Sequence, residues 1–515
     1  MSRRRGCGGG QGTRRLPGDR RCEGSLRRQA GGGRGARPRT ARQRHTGDGA
    51  GGRVTGLDAA AACSATSRPR ADDREFAGVS TDSRSIRPRD LFVALTGDRF
   101  DGHDYVDSAI AGGATGVVCL RGRSGDRRDV LFLEVDDTLH ALGDLAAWNR
   151  GRFDVPVVAV TGSNGKTSTK EMLRSVLATA YGADAVLANK GNLNNLIGMP
   201  TTLLELGESH RVAVLEMGMN APGEIARLTE IASPTLGLVT CVGSAHLEGL
   251  GSIEGVAAAK GELFAGLPAG ATALVNLDDA RVVEQAARFS GRHVGYGEQG
   301  QTMACEIEGL GLRGSRFVLV HGDERCAVEI KAVGRHNVAN ALAAAAVGVE
   351  LGLGLAEVAE GLGSAPVPGM RMQPRLLANG VTVVDDCYNA NPASLEVALQ
   401  TIGDAAGQGR CLLALGDMLE LGSEADRLHE VAGRAAANLA PALLCVLGAN
   451  AEALVDGALA AGLAANRVAI CADHAEVAAS VARCWRAGDV VLVKGSRGSA
   501  MDRVVDELEQ LGARE

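Results

Sequence analysis

The stretch VVAVTGSNGKTSTKEML, from Val157 to Leu173, is typical of a buried strand, a glycine-bearing turn and the first turns of an amphipathic helix. Glycines let such a turn curl so that successive backbone N–H groups face phosphate oxygens, and the positive end of the helix adds to the attraction. In this arrangement Lys166 would reach the β- and γ-phosphates and the Thr167 hydroxyl would hold Mg²⁺. The stretch therefore predicts a nucleoside triphosphate site at the edge of a parallel sheet.

The match to the strict phosphate-loop pattern is partial. That pattern requires glycine at position 160, where this chain has Val160. The strand before the turn and the helix after it supply the context that the pattern needs, so we still expect nucleotide binding. The predicted nucleotide contacts in the turn are Gly162, Ser163, Asn164, Gly165, Lys166, Thr167 and Ser168.

The patterns on both sides of the turn predict an α/β protein of three domains. Residues 54–152 hold short strands and predict a small α/β domain, whereas 153–365 hold near-continuous apolar strands alternating with helices, typical of a parallel sheet covered on both faces. Residues 366–515 repeat that alternation and predict a Rossmann-like, doubly wound sheet. Within the central domain, residues 303–333 predict a small antiparallel insertion and the alanine-rich stretch 338–350 a helix.

The composition indicates the cellular compartment in which we expect the protein. Of the 515 residues 45% are apolar, but no apolar run is long enough to predict a membrane span. The first twenty residues are arginine-rich and lack the apolar stretch of a secretory signal. Twelve cysteines occur without a C-x-x-C pair, which is typical of a reducing compartment, so we expect a cytoplasmic protein.

Residues 1–53 differ from the rest of the chain. They carry fifteen arginines, no lysine and three acids, a balance of +12, and the remainder of the chain carries −18. Because the segment is rich in glycine and nearly free of large apolar residues, we expect a disordered extension that does not contribute to function. The alternative is a basic arm that binds nucleic acid or anionic surfaces.

Two polar residues lie at strand ends on the predicted ligand edge of the central sheet, and a lysine lies in a helix further along the chain. Glu216 ends an apolar run, where a carboxylate can hold Mg²⁺ above bound phosphates or can simply be solvated. His246 follows the next strand, although a single histidine is more often structural than functional. Lys260, judged by spacing alone, is an ordinary exposed helix lysine.

Taken with the turn, seven further segments closely resemble the Mur ligase family, the cytosolic ATP-dependent amino-acid ligases of peptidoglycan synthesis. The family's own turn, TG[ST]xGKT, accounts for Val160. The segments lie in the central and C-terminal predicted domains, in the family's order: KGNLNNLIGMP (190–200), LEMGMNAPGEI (215–225), AHLEGLGSIEGVAAAKGE (245–262), GRHNVANALAA (334–344), DDCYNANPAS (385–394), LGDMLELG (415–422) and KGSRGSAM (494–501).

The resemblance implies roles for residues that spacing alone does not distinguish. It implies Thr167 and Glu216 as ligands of one Mg²⁺ and His246 near a second, so two magnesium ions are expected. The lysine at the position of Lys260 is typically carbamylated in the family and helps to place the second metal. Lys166, His246, Lys260 and Arg371 are the residues we expect to take part in catalysis.

The same resemblance implies contacts to the substrates. Asn340 matches an adenine contact, Arg371 lies near the γ-phosphate and Asp386 near the ribose or base. The elements STDSR (80–84) and RFDGHDY (99–105) resemble those that grip the UDP-sugar, although by themselves they are ordinary polar turns. The expected substrate-binding residues are Ser80, Thr81, Asp82, Ser83, Arg84, Asp101, Gly102, His103, Asn192, Asn194, Asn195 and Asn389, with Lys494 and Arg497 as candidates for holding the second substrate or phosphate.

The expected reaction is ATP-dependent amide ligation through an acyl phosphate. Within the family, the diaminopimelate-adding relative typically has a DNPR motif in its C-terminal domain. This chain has no DNPR motif there and has LGDMLELG instead. The comparison favours addition of D-alanyl-D-alanine to UDP-N-acetylmuramoyl-tripeptide. We expect a monomer whose partners are these small molecules and not nucleic acid; whether the third peptide residue is meso-diaminopimelate or lysine stays open. The alternatives are another Mur ligase, a folylpolyglutamate-synthase-like ligase, or a nucleic-acid-binding P-loop NTPase.

Overall fold

A computed structural model describes residues 57–58, 61–63, 66, 74–97, 100–243, 247–407 and 409–513. The predicted extension at 1–53 and His246 lie outside the described residues. In the part of the chain that is described, no helix is both long and apolar enough to cross a membrane.

The N-terminal domain is a four-stranded parallel sheet in the order β3-β4-β7-β8, accompanied by two short antiparallel pairs, β1-β2 and β5-β6. Strand β4 is buried along its whole length, as its apolar sequence predicts. The strands are β1 Leu57–Asp58, β2 Glu75–Phe76, β3 Gly78–Ser80, β4 Asp90–Val93, β5 Thr96–Gly97, β6 Phe100–Asp101, β7 Gly116–Leu120 and β8 Leu131–Val135, and the helices are Val106–Ala111 and Thr138–Arg150.

The central sheet has nine strands in the order β10-β11-β9-β12-β13-β14-β15-β16-β17. The first seven in this order run parallel, β16 pairs antiparallel with β15, and β17 pairs antiparallel with β16. The predicted antiparallel insertion therefore extends the central sheet at one edge and is not a separate unit. The strands are β9 Val157–Thr161, β10 Val186–Ala188, β11 Val212–Glu216, β12 Leu236–Val239, β13 Thr272–Asn276, β14 Arg292–Tyr296, β15 Thr302–Gly309, β16 Ser315–His321 and β17 Glu324–Ile330.

Both faces of this sheet are buried, as predicted. Because successive side chains of a strand point to opposite faces, Ala159 of β9 packs in one core and its neighbours Val158 and Val160 in the other. The alanine-rich helix predicted at 338–350 is present and begins three residues earlier. The helices of this domain are Lys166–Tyr181, Gly198–Leu203, Glu224–Ala232, Leu247–Leu250, Ile253–Ala265, Ala280–Ala286, Arg335–Glu350 and Leu355–Ser364.

The N-terminal domain is anchored to the central one by a shared core and by Asn149. Leu91 and Leu142 belong to the same buried cluster as Ala159. The Asn149 amide nitrogen donates to the carbonyl oxygens of Leu203 and Leu206, both at 3.0 Å. These bonds satisfy carbonyls at the end of helix Gly198–Leu203 that have no partner within the helix.

The C-terminal domain is the expected doubly wound sheet, in the order β18-β19-β23-β20-β21-β22. All strands are parallel except the edge strand β18. Buried clusters cover both faces, with Leu413 of β20 in one and Leu412 in the other. The strands are β18 Gln373–Leu376, β19 Thr382–Asp386, β20 Cys411–Gly416, β21 Leu443–Leu447, β22 Val468–Ile470 and β23 Val490–Lys494, and the helices are Pro392–Ala406, Ala425–Ala437, Ala451–Ala460, His474–Cys484 and Asp502–Gly512.

Candidate active site

The turn after β9 needs glycine at two positions. Gly162 and Gly165 have φ angles of 148° and 83°, a region that other residues rarely adopt. A methyl group on Gly162 would collide with the Thr240 hydroxyl, and one on Gly165 with the Asn340 side-chain oxygen. Position 160 does not need glycine, because Val160 is a buried residue within β9 and not part of the turn.

The helix that follows this turn begins without a side-chain cap. Its cap residue is Gly165, and the first intrahelical bond runs from Thr169 N to Gly165 O at 2.9 Å. The N–H groups of Lys166, Thr167 and Ser168 therefore have no partner within the helix. Such an uncapped N-terminus behind a curled turn is a site for a phosphate.

Lys166 lies where it can meet that phosphate. Its ammonium donates to the Gly162 carbonyl at 2.7 Å, so it folds back over the turn. Burial lowers the Lys166 pKa, the Glu216 carboxylate opposes that shift, and the Arg371 guanidinium adds to it. Lys166 and Arg371 are thus close enough to repel each other, and an anion placed between them would relieve this repulsion.

Glu216 ends β11 and is 1% exposed. One carboxylate oxygen accepts from the Thr167 hydroxyl at 2.7 Å and the other from the Asn194 amide at 2.8 Å. The described residues contain no group of three or more His, Cys, Asp or Glu side chains that could hold a metal by themselves. One carboxylate and one hydroxyl beside a phosphate site nevertheless fit Mg²⁺, which commonly takes few protein oxygens and completes its shell with substrate phosphates and water.

Two residues that sequence reasoning missed hold Glu216 in place. Asn189 exchanges two hydrogen bonds with the Glu216 backbone, at 2.8 and 2.9 Å. Lys170 is fully buried, donates to the Asn189 carbonyl at 2.7 Å and lies 3.9 Å from the Glu216 carboxylate. Lys170 stands four residues after Lys166, one helical turn further on, which is the only signal of its position in the sequence.

Lys260 is not the exposed helix lysine that its spacing alone suggests. It lies in helix Ile253–Ala265 with 2% of its surface exposed. Burial, with a smaller contribution from the nearby charge of Lys166, lowers the Lys260 pKa well below its ordinary value. A buried lysine beside the phosphate turn therefore favours the uncharged amine.

Two residues of the C-terminal domain reach the phosphate turn. Arg371 donates to the Thr167 hydroxyl at 2.9 Å, and its guanidinium carbon lies 4.0 Å from the centre of the Tyr388 ring. Asn391 caps helix Pro392–Ala406 and also donates to the Asn164 side chain at 3.0 Å. The predicted placement of Arg371 beside the nucleotide turn thus matches the geometry, whereas Tyr388 and Asn391 were not anticipated.

A cavity of about 300 Å³ lies on one side of this junction, between the turn and the C-terminal domain. Asn340, in the second turn of its helix, lines it, as do Asp386 and Lys494. Lys494 donates to the Asp386 carboxylate at 2.6 Å and to the Asn389 carbonyl at 2.9 Å, and it is buried. Lys494 therefore lies with the predicted base and ribose contacts and not in a solvated terminal turn.

His336 also lines this cavity and was missed by sequence reasoning. The Asn337 amide nitrogen faces both the Val333 carbonyl (2.9 Å) and His336 Nε2 (3.1 Å), so Nε2 accepts and the ring proton lies on Nδ1. Burial lowers the His336 pKa to about 4, which keeps the ring neutral. Nδ1 is buried and has no partner among the described residues, so it is a donor available to a bound base or ribose.

A cavity of about 250 Å³ surrounds the phosphate turn. Residues 163–167 and Glu216 line it, together with Arg371 and the predicted substrate residues Asn192, Asn194 and Asn195. Asn194 holds Glu216, and the Asn195 side chain accepts from the Gly198 N–H at 2.9 Å at the start of a helix. Asn192 lines the cavity, and its carbonyl accepts from Asn194 N at 2.8 Å.

The largest of the three cavities, about 600 Å³, lies on the other side of the junction. Asn192 lines it from the central domain, and Asn389, Arg497 and the loop Leu419–Leu421 from the C-terminal domain. Arg497 is exposed and pairs with Asp502 at 2.8 Å. The Glu420 carbonyl accepts from Glu248 N at 3.2 Å, so this loop also bridges the two domains.

The N-terminal substrate elements lie apart from these three cavities. Ser80, Thr81 and Ser83 are half-buried around a short turn, in which Asp82 pairs with the exposed Arg84 at 2.7 Å. Hydrogen bonds from the Arg84 side chain and backbone lower the Asp82 pKa to about 2. Both groups are solvent-accessible, so they remain available to a ligand.

His103 is held on both ring nitrogens. The Leu120 N–H donates to Nε2 at 2.9 Å, which places the ring proton on Nδ1, 2.6 Å from the Asp101 carboxylate. Its side chain is 2% exposed. His103 therefore orients the loop that carries Asp101, and a direct contact to substrate would require breaking one of these bonds.

Gly102 packs closely within the same loop, and a substitution there tests this packing. A Cβ atom there would lie 2.6 Å from the Leu95 carbonyl oxygen, so Gly102→Ala should lower the free energy of unfolding by about 1–3 kcal/mol through overpacking. The measurement is urea unfolding followed by circular dichroism. Gly309→Ala, where a Cβ atom meets nothing within 4 Å, is the control and should be nearly neutral; equal stability of the two variants would contradict the close packing of Gly102.

The fold and the site together define an ATP-binding α/β enzyme in which a C-terminal domain closes over a phosphate turn. The chain matches the Mur ligase middle domain over residues 160–348, the Mur ligase glutamate ligase domain over 370–497, and the Mur ligase family catalytic domain over 75–150. It therefore belongs to the Mur ligase family.

Two curated relatives of this chain carry the same activity in their names. The UDP-N-acetylmuramoyl-tripeptide–D-alanyl-D-alanine ligases of Bacillus subtilis and Escherichia coli are 34% and 37% identical, over 85% and 84% of this chain and 94% of each relative. The crystal structure of MurF from Acinetobacter baumannii superposes with a TM-score of 0.80 at 32% identity, covering 88% of this chain and 99% of that one. MurF from Thermotoga maritima in complex with ADP superposes with a TM-score of 0.75 at 28% identity, covering 84% and 97%.

Proposed function

We propose that the chain is an ATP-dependent ligase that joins D-alanyl-D-alanine to UDP-N-acetylmuramoyl-tripeptide, giving the UDP-linked pentapeptide, ADP and phosphate. The observation that carries this proposal is the meeting of three cavities at one junction, with Tyr388 and Asn389 lining all of them. One cavity surrounds the phosphate turn, one holds the predicted base and ribose contacts, and the third is bounded by the loop of the LGDMLELG segment.

In the first step the terminal carboxylate of the tripeptide attacks the γ-phosphorus of ATP, and the bond to the β-phosphate oxygen breaks. Because two anions must meet, the step needs neutralisation of charge more than a protein nucleophile. The uncapped helix N-terminus, Lys166 and Arg371 supply that neutralisation at one place. The products are an acyl phosphate and ADP.

In the second step the free amine of the dipeptide attacks the acyl carbon, phosphate leaves from the tetrahedral intermediate, and the proton lost by the amine passes to the released phosphate or to solvent. The 600 Å³ cavity shares Asn192 and Asn389 with the cavity around the phosphate turn and is large enough for a dipeptide. Arg497 pairs with Asp502 but is exposed, so its cation is accessible to the dipeptide carboxylate, whereas Lys494 is buried and paired with Asp386. We therefore assign the dipeptide to Arg497 and the loop Leu419–Leu421, with Lys494 on the nucleotide side.

Thr167 and Glu216 are the residues that would hold Mg²⁺. When bound, this ion would reduce the electrostatic repulsion between the phosphate oxygens and the attacking carboxylate. The Arg371 bond to Thr167 must then give way, which frees the guanidinium for the phosphate. From the family resemblance, we also propose that a second magnesium ion binds and that His246 lies near it.

We also propose that Lys260 carries a carbamate. Its buried, uncharged amine is the form that reacts with CO₂, and the resulting anion would sit beside Lys166. Protein equilibrated with ¹³C-bicarbonate should show one carbamate carbon signal in NMR spectra at pH 8 that is absent from Lys260→Ala. The signal should fade as the pH falls, because carbamate formation releases a proton; a spectrum identical for both proteins would refute the assignment.

Product analysis tests the function directly. The purified chain, ATP, Mg²⁺ and UDP-N-acetylmuramoyl-tripeptide should release phosphate only when D-alanyl-D-alanine is added, and mass spectrometry should detect the pentapeptide product. Tripeptides with meso-diaminopimelate and with lysine are tested in parallel. Phosphate release that depends instead on a single amino acid or on glutamate with a folate would favour the alternative ligases, and release stimulated by RNA would favour a nucleic-acid-dependent NTPase.

We further propose a cytoplasmic monomer with domain boundaries at 54–152, 153–365 and 366–515. Each main sheet falls within one of these ranges. The ten cysteines among the described residues are free thiols, as expected in a reducing compartment. Light scattering after size exclusion would test the oligomeric state.

A further inference from the structure

Arg371 reaches the phosphate turn from a strained backbone. The residues on both sides of it, Met370 and Met372, have φ angles of 59° and 50°, in the left-handed region that non-glycine residues rarely adopt. Two bonds from the end of β19 hold this geometry: Tyr388 N donates to the Met370 carbonyl and Met372 N to the Asp386 carboxylate, both at 3.1 Å. Strain of this kind persists only where the surroundings enforce it.

Tyr388 supports Arg371 in two ways, once through the neighbouring Met370 and once through its ring. Its backbone holds the neighbouring Met370, and its ring lies under the guanidinium with 4.0 Å between the guanidinium carbon and the ring centre. At that distance the negative face of the ring attracts the cation. The half-buried ring lines all three cavities and thus lies where the triphosphate, the base and the second substrate meet.

We infer that Tyr388 is a positioning residue that holds Arg371 against the transferred phosphoryl group, an inference that rests on the proposed function. Arg371 now bonds to the Thr167 hydroxyl, and it must exchange that bond for phosphate oxygens when the nucleotide binds. A hydrogen bond fixes one direction, whereas stacking on a ring face tolerates a sliding movement. Tyr388 therefore keeps the guanidinium oriented while its hydrogen-bond partner changes.

The role belongs to the aromatic face and not to the hydroxyl. Tyr388→Leu should lower kcat/KM about ten-fold, mainly through kcat, because the guanidinium then loses its orientation during transfer. Tyr388→Phe keeps the ring and should recover most of that loss. The control is Tyr181→Leu, an exposed tyrosine at the far end of the turn helix, which should match the parent.

A double-mutant cycle with Arg371 separates positioning from general packing. If Tyr388 acts through Arg371, adding Tyr388→Leu to an Arg371→Ala variant should not lower kcat/KM any further. The inference would be overturned if the losses of kcat/KM in the two single variants multiplied in the double variant. It would also be overturned if Tyr388→Phe were as slow as Tyr388→Leu. The parent protein tests the proposed function in the same assay: if it makes no pentapeptide the function fails, whereas a failed cycle in an active enzyme refutes only the role of Tyr388.

Discussion

Lys166→Ala should lower kcat/KM for pentapeptide formation by about 1,000-fold while the protein stays folded. The lysine is the cation that folds over the phosphate turn, and losing such a charge at a transferring phosphoryl group costs factors of this size. Its removal should not destabilise the unliganded protein, because burial and the nearby Arg371 charge disfavour the Lys166 ammonium and the Glu216 carboxylate only partly offsets them. Coupled phosphate release and thermal unfolding measure the two expectations.

The matched control for this variant is Lys331→Ala, which removes an exposed lysine that follows β17. It should change neither activity nor melting temperature. A Lys166→Ala protein that makes pentapeptide at the parent rate would contradict the assignment of the turn. A variant that unfolds would indicate that Lys166 supports the fold and not the reaction.

Glu216→Gln should raise the Mg²⁺ concentration needed for half-maximal activity and lower kcat/KM by about 100-fold at limiting Mg²⁺. The substitution keeps the size of a side chain that is 1% exposed but removes the negative charge that would bind the ion. Asn189 holds the backbone at this position, so the strand end should keep its geometry. Titrating Mg²⁺ in the coupled assay measures the effect.

Glu208→Gln removes an exposed glutamate and should leave the Mg²⁺ titration unchanged. If Glu216→Gln also leaves it unchanged, the metal ligands lie elsewhere. If instead activity is lost at every Mg²⁺ concentration and the melting temperature falls, Glu216 serves mainly to hold Thr167 and Asn194.

Much of the site was predictable because it follows strand ends. Glu216 ends one parallel strand, Lys166 and Thr167 follow the turn after another, and such strand ends meet at one edge of a sheet. The burial of Lys260 was not predictable from spacing, since a lysine in a helix is usually exposed. The partner of Lys494 was not predictable either, because Asp386 lies 108 residues earlier on a different strand.

The fold class, the family and the phosphate turn could be predicted from the amino-acid sequence. Each of these depends on local features, namely the period of apolar residues, the positions of glycines and short motifs in a set order. The tertiary structure alone decided how the domains meet over the turn. Arg371 lies 204 residues from Thr167, and Asn391 lies 227 residues from Asn164. Contacts over such distances arise from the packing of whole domains, so no local pattern records them.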